Sequence, residues 1–309
     1  MDGREPAAAA VIELPNLARR ACLTECTARK PGNVYPGANF DDLTHAHFVT
    51  AAGVAAETLP AAATIGVGPA VLNCVRETRR ECGTNVNLGI ALLLAPLCAT
   101  PPRRSPAATL AATTVDDAVA VYEAIRLANP GGLGDAAEQD VRSEPTVTLL
   151  ETMRLAADRD GVAKAWATDF NGVWCDVVGL EHVFNQAPRT HRLAWEDATL
   201  LIYLSRLRTT PDTHIARRCG EGAAIAIRDA VRERHQPHRP DDGPLAERPW
   251  VRTLDGLLRT GRPRRNPGTT ADLTCAALFW AARDGRIELP TEEELAAQAA
   301  HLVREANRR

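Results

Sequence analysis

Lysine is almost missing from this chain of 309 residues: only Lys30 and Lys164 occur, while arginine is abundant. Arginine carries the same charge, so the shortage reads as a coding bias toward G and C, and it excludes no fold. It does draw the eye to Lys30, which falls inside a Pro-Gly-Asn segment. Aromatic residues make up only 4%. Series of alternating β-branched residues are absent, as are Asn-Gly turns between them, which argues against a sheet. No CxxC pair occurs among Cys22, Cys26, Cys74, Cys82, Cys98, Cys175, Cys219 and Cys275. Cys22 and Cys26 stand one helical turn apart, but a zinc site needs two further ligands, so reduced thiols acting as small hydrophobes are expected. Acids and bases nearly cancel, at a net charge of −3, which gives no case for a nucleic-acid partner. Met1–Ala10 lacks the basic start and long apolar stretch of a secretory signal. The most apolar run, Ile90–Ala99, is too short to cross a bilayer. A cytoplasmic protein with no membrane partner is the expectation.

What is present is helical periodicity. In 115–129, Ala118, Val121, Tyr122, Ile125 and Leu127 or Ala128 cover one face, and Asp116 and Asp117 favour the dipole of the first turn. Ala198, Leu201, Ile202 and Leu204 mark a second helix over 195–208. Asp212 opens a third that continues past Ala223-Ala224-Ile225, and Thr269 or Thr270 caps a fourth over 273–283. The chain reads as all-α, a single compact multi-helix domain over 1–309 with about ten to twelve helices. The polar, proline-rich stretch 235–248 reads as a surface loop, as does 101–106.

Five segments combine Gly or Asn with polar or acidic residues at helix ends, where free N–H groups and a positive dipole suit anions. Lys30-Pro31-Gly32-Asn33-Val34 ends a helix, and Lys30 there either complements the dipole or reaches a phosphate. Asn39, Asp41 and Asp42 follow, and one acid suffices to cap the helix through Phe48. A second acid beside it suits Mg²⁺, which takes one or two carboxylates and keeps waters and phosphate oxygens. Asn85 and Asn87 precede the apolar helix that starts at Leu88, and Asn87 with Gly89 permits a close backbone approach to a ligand. Pro130-Gly131-Gly132-Leu133-Gly134 holds more glycine than a helix stop needs, although its spacing matches no dinucleotide fingerprint. Pro211-Asp212-Thr213-His214 reads as a capped helix start, with His214 either an ordinary helix histidine or a base. Asn266-Pro267-Gly268-Thr269-Thr270-Ala271-Asp272 gathers two hydroxyls and an acid over one helix start, more than a cap requires.

In this order the segments resemble the triphosphoribosyl-dephospho-CoA synthase family, over about Ala18 to Ala282. The carriers are Lys30-Pro31-Gly32, the Asn85/Asn87–Gly89 helix start, Asp212-Thr213 with Arg218 and Gly220, and Pro267-Gly268 with Ala271-Asp272. The resemblance implies an ATP:3′-dephospho-CoA triphosphoribosyltransferase, an all-α enzyme using Mg²⁺. Such an enzyme releases adenine from ATP and joins the triphosphoribosyl group to an acceptor ribose hydroxyl. It further implies Asp42, Asp212 and Asp272 as catalytic acids, with Asp41, Asp42, Asp212 and Asp272 as metal ligands. Lys30, Asn33, Asn85, Asn87, Gly89, Gly132, Gly134, Arg218, Gly268, Thr269 and Thr270 would contact the nucleotide. The chain departs from the lyase-associated branch at Tyr35-Pro36, where that branch has an Asp-Arg pair. Leu88 and Leu133 likewise stand where it has a lysine and an arginine. These departures point to a divergent branch with a different acceptor, of a kind found with tetrahydromethanopterin-linked one-carbon metabolism. A related ribosyl transferase, nucleotide N-glycohydrolase or phosphohydrolase is the alternative.

Overall fold

A computed structural model describes residues 7–130, 138–186, 194–236, 243–261 and 264–308. Among them no strand forms; an isolated bridge pairs Tyr35 with Ala38. The chain runs through α1 (Ala7–Thr27), α2 (His45–Thr58), α3 (Ala62–Ile65), α4 (Val67–Cys82), α5 (Leu88–Ala99), α6 (Ala107–Ala111), α7 (Val115–Ala128) and α8 (Leu149–Ala156). It continues with α9 (Gly161–Ala167), α10 (Asn171–Gln186), α11 (Ala194–Thr209), α12 (Thr213–Cys219), α13 (Glu221–Arg234), α14 (Pro249–Arg259), α15 (Gly268–Arg283) and α16 (Glu292–Ala306). Short helices such as α3, α6, α9 and α12 raise the number above the sequence expectation, because one or two turns leave no legible period.

The all-α, single-domain expectation holds, and α15 is its axis. Nearly every residue from Thr269 to Ala281 is buried, as expected of a helix apolar all round. It packs against α1, α5, α10 and α11. In α5, residues Ile90 to Cys98 are all buried. Pro96 lies inside this helix and has no N–H to give to the carbonyl four residues back, at Leu92. The Trp166 indole N–H, itself fully buried, donates to that freed carbonyl at 3.0 Å and ties α9 to α5.

Capping explains several starts. Thr114 with Asp117, Thr148 with Glu151 and Thr291 with Glu294 form reciprocal capping boxes. Asn129 takes the left-handed conformation that ends α7. Other starts depart from expectation. Thr44, not Asp41 or Asp42, precedes α2. Pro267 precedes α15, which leaves Thr269 and Thr270 in its first turn for other uses. The helix opened by Asp212 stops at Gly220, whose φ of +89° breaks it into α12 and α13.

The helical run His45–Ile65 is long and apolar enough to cross a membrane by length and composition, contrary to the sequence expectation. Its alanines Ala51, Ala52, Ala55 and Ala56 are buried, and α2 packs on α1 and α4. Within 235–248 the described end is anchored rather than loose. Leu245 and Ala246 are buried, and the Leu245 amide donates to Asp197 at 2.8 Å.

Candidate active site

The helix starts of α5 and α15 and the side chains of α12 open on one cleft of about 490 Å³. Its floor comes from the C-terminal end of α1, which contributes Glu25 and Cys26. One wall is apolar, built by Val86, Leu88, Val121, Tyr122, Ile125, Met153 and Leu155. The cleft is also lined by Arg79, Arg159, Asp160, His214, Arg217 and Arg218, with Asn266, Gly268, Thr269 and Asp272 from the start of α15.

Asp272 is the central acid. No donor among the described residues hydrogen-bonds its carboxylate. Burial pushes its pKa well above the ordinary carboxylate range; the charges of Glu25, Asp212 and Asp160 push it further, and Arg217 opposes them. Its Oδ2 lies where a Cβ on Gly89 would be, only 2.1 Å away, so residue 89 must be glycine for this carboxylate to sit over the start of α5. The close approach expected at Gly89 is therefore made by a side chain of the same protein.

Beneath it, Glu25 is 4% exposed and pairs with the fully buried Lys30 at 3.0 Å. The Lys30 ammonium also donates to the Glu25 and Ala28 carbonyls, closing the end of α1. Of the two roles open to Lys30 in sequence, the geometry supplies the one at the helix end. The side chain does not line the cleft, and its place as a nucleotide contact gives way to a place under Glu25.

Asp212 is also buried, and its oxygens are engaged. Oδ1 accepts from the Ile215 amide at 3.0 Å, capping α12, and Oδ2 accepts from both the amide and the hydroxyl of Thr270 at 2.7 Å. Burial raises its pKa against these bonds. Asp212 and Thr270 thus lock α12 to α15, and neither lines the cleft. Thr269 does line the cleft and accepts from the Thr213 hydroxyl at 3.0 Å, while Thr213 in turn accepts from the Gly161 amide.

Asp41 and Asp42 lie apart from this acidic centre. Both are exposed and neither lines the cleft; Asp42 is bound to Arg264 at 2.5 Å. That hydrogen bond is the main reason its pKa is lowered, with the charges of Arg264 and Arg218 adding to it. Asn85 lines the cleft and caps α5 by accepting from the Leu88 amide at 3.2 Å. Asn87 is turned away, donating to Thr78 at 2.9 Å. Asn33 lines the cleft and donates to the Tyr203 hydroxyl. Gly268 lines it too, with the His214 ring packed where a Cβ would stand, 3.1 Å from Nδ1. Arg218 is exposed at the cleft with no ion-pair partner among the described residues. Gly132 and Gly134 lie outside the described residues; Asn129, Pro130 and Glu138 on either side line the cleft.

Sequence reasoning missed Glu25, Arg79, Arg159, Asp160 and Arg217. Glu25 left one signal, an acid among the buried small residues Cys22, Cys26 and Ala28. Asp160 caps α9 through the Val162 and Ala163 amides and holds Arg217 with its other oxygen. His214 has its pKa lowered to about 4, by burial first and then by Arg217 and Arg218, so its ring is neutral at pH 7. Among the described residues no three of His, Cys, Asp and Glu form a ready metal cage.

Residues 12–290 match the family model of ATP:dephospho-CoA triphosphoribosyl transferase. No curated protein matches the chain in sequence. Among solved structures, that of an Archaeoglobus fulgidus protein assigned as a triphosphoribosyl-dephospho-CoA synthase superposes with a TM-score of 0.60 at 23% identity. The match covers 77% of this chain and all of the other.

Proposed function

Because the chain belongs to the ATP:dephospho-CoA triphosphoribosyl transferase family, we propose that the Asp272 cleft binds ATP and transfers its triphosphoribosyl group. The observation that supports this reading is that acids, Glu25 and Asp272 among them, and several arginines line one pocket. Arg79, Arg159 and Arg218 line that pocket with no ion-pair partner among the described residues. Arginine forks suit phosphate oxygens, and the start of α15 adds a positive dipole end.

Cleaving adenine from ribose builds positive charge on the sugar, and a fixed negative field beside the reacting carbon stabilises it. Asp272 supplies that field in its ionised form, which the positive charge growing on the sugar favours against the burial that raises its pKa. Glu25 and Asp160, each paired with a cation, add less. The bond from ribose to adenine breaks as the acceptor hydroxyl oxygen bonds the same carbon; the hydroxyl's proton is balanced by the one that adenine takes up as it departs. The apolar wall excludes water that would otherwise compete with the acceptor. Asp212, Thr270 and Lys30 act from behind, as braces.

A divalent cation fits this donor set. Magnesium takes hard oxygen ligands and needs only one or two carboxylates when phosphates and waters complete its shell. Asp272, with Glu25 beside it, would hold it, which relieves the crowding of acids that raises the Asp272 pKa. The ion supplies charge neutralisation for the triphosphate. Asp41 and Asp42, held outside the cleft, are not part of this reading. The partners are small nucleotides, ATP and an acceptor, met in the cytoplasm.

Dephospho-CoA is the first acceptor to test, and Leu88 in place of a lysine supports a different one. Mass spectrometry of incubations with ATP, with and without dephospho-CoA or a cell extract, separates the outcomes. Transfer predicts free adenine together with an acceptor heavier by one triphosphoribosyl group. Adenine without any acceptor product would identify a glycohydrolase, and released phosphate with no adenine would overturn the reading.

A further inference from the structure

We infer that His214 and Arg217 form a subsite for phosphoryl oxygens, a role that rests on the nucleotide reading above and assigns its anion-binding end. The two residues stand three apart on α12, which places them on one face, and both line the cleft. Arg217 is anchored on one side only: Nη1 donates to Asp160, whose other oxygen caps α9. Its Nε is buried and has no hydrogen-bond partner, and the same is true of His214 Nε2. Buried polar atoms without partners are uncommon in folded proteins, and two of them on neighbouring residues that line one cavity point to a ligand that completes them.

The surroundings select the ligand class. The His214 ring is seated against Gly268, in the first turn of α15, where a Cβ would crowd it. Thr269 of that turn also lines the cleft, as does Arg218, which has no ion-pair partner among the described residues. A ligand entering between these groups meets nitrogen-bearing side chains, a hydroxyl and the positive end of a 16-residue helix. Phosphoryl oxygens satisfy that set, and a guanidinium already fixed at one nitrogen binds them with little further loss of freedom. Asp160, which also lines the cleft, aims Arg217 by holding its Nη1.

Inorganic tripolyphosphate is the probe, because its binding requires no transfer chemistry. Calorimetric titration of the full chain should show wild-type binding that weakens about tenfold in Arg217→Gln and by a smaller factor in Arg217→Lys, which keeps the charge but loses the fork. His214→Phe should weaken it severalfold, with melting temperatures checked in parallel. Peptide-mapped phenylglyoxal labelling of the wild type covers the case in which a variant fails to fold: tripolyphosphate should slow modification of Arg217, and sulfate at equal ionic strength should not. Wild-type affinity in Arg217→Gln, or Arg217 labelling indifferent to tripolyphosphate, would overturn the subsite. Should Arg217→Gln lose tripolyphosphate while the wild type releases no adenine from ATP, the subsite stands and the transferase reading falls. Adenine release with unchanged ATP dependence and unchanged tripolyphosphate affinity in Arg217→Gln would mean the reverse: the transferase reading stands and the subsite falls.

Discussion

Asp272 and Asp42 are the same residue type, each near a Gly/Asn-rich turn, yet the fold treats them in opposite ways. Asp272 sits over the start of α5 among Glu25, Asp212 and Asp160, and its pKa is driven well up. Asp42 lies in water with Arg264 against it, and its pKa is drawn down. A carboxylate that already has a cation and solvent contributes little, since exposed ion pairs are worth about 0–1 kcal/mol. A carboxylate crowded by others in a cleft is costly to keep, and that cost points to chemistry.

The sharpest way to break the contrast is to neutralise each acid in turn. Asp272→Asn should reduce the rate of adenine release by about 10²–10³-fold, whereas Asp42→Asn should leave it within about twofold. Equal losses in the two variants would erase the distinction.

The next effect is on stability. Lys30→Met leaves Glu25 buried without its cation, and breaking such a pair costs about 3–5 kcal/mol. Denaturant unfolding should recover most of this loss in the double variant Lys30→Met/Glu25→Leu. A Lys30 that served as a phosphate ligand would instead raise the KM for ATP and leave unfolding unchanged.

Gly89→Ala comes third. Its methyl group would overlap Asp272 Oδ2, and forcing the two apart costs about 1–3 kcal/mol together with a drop in activity. Adding Asp272→Ala should restore the melting temperature but not the activity. Failure to restore it would place the strain elsewhere.

The smallest effect is a pH dependence shared by the two regions. His45 and His214 have pKa values lowered to about 4, mainly by burial, against about 6.5 for a free imidazole. Between these values the unfolded chain binds more protons than the folded one, so stability present above pH 6.5 is lost as pH falls toward 4. Thermal melts should show the decline, and His45→Phe should flatten part of it.

Much of the architecture was legible because helical periodicity and capping are local. The stop of α7 before Pro130, the buried helix that follows Asn87 and the opening of α12 at Asp212 all follow from neighbours within one turn. The site was legible only in outline. Gly89 signalled a close approach, but its partner Asp272 lies on α15, and nothing near residue 89 names it. Thr269 and Thr270 looked like caps because hydroxyls commonly cap helices. Pro267 precedes α15 instead, and the two threonines bond Thr213 and Asp212 across the junction with α12. Asp160 and Arg217 escaped notice because each alone suits an ordinary helix, and only the fold brings them together. Burial decided the rest. Lys30 and Asp42 have similar motif credentials, and sequence does not show that one is enclosed and the other bathed in water.

Hydrogen exchange with and without ATP tests most directly whether the helix starts of α5 and α15 converge on one nucleotide. ATP should slow exchange of the amides around Leu88–Ile90 and Gly268–Asp272 together, and leave those around Asp41 and Asp42 unchanged. Protection confined to the Asp42 segment, or absent from both helix starts, would contradict a nucleotide held at the Asp272 cleft.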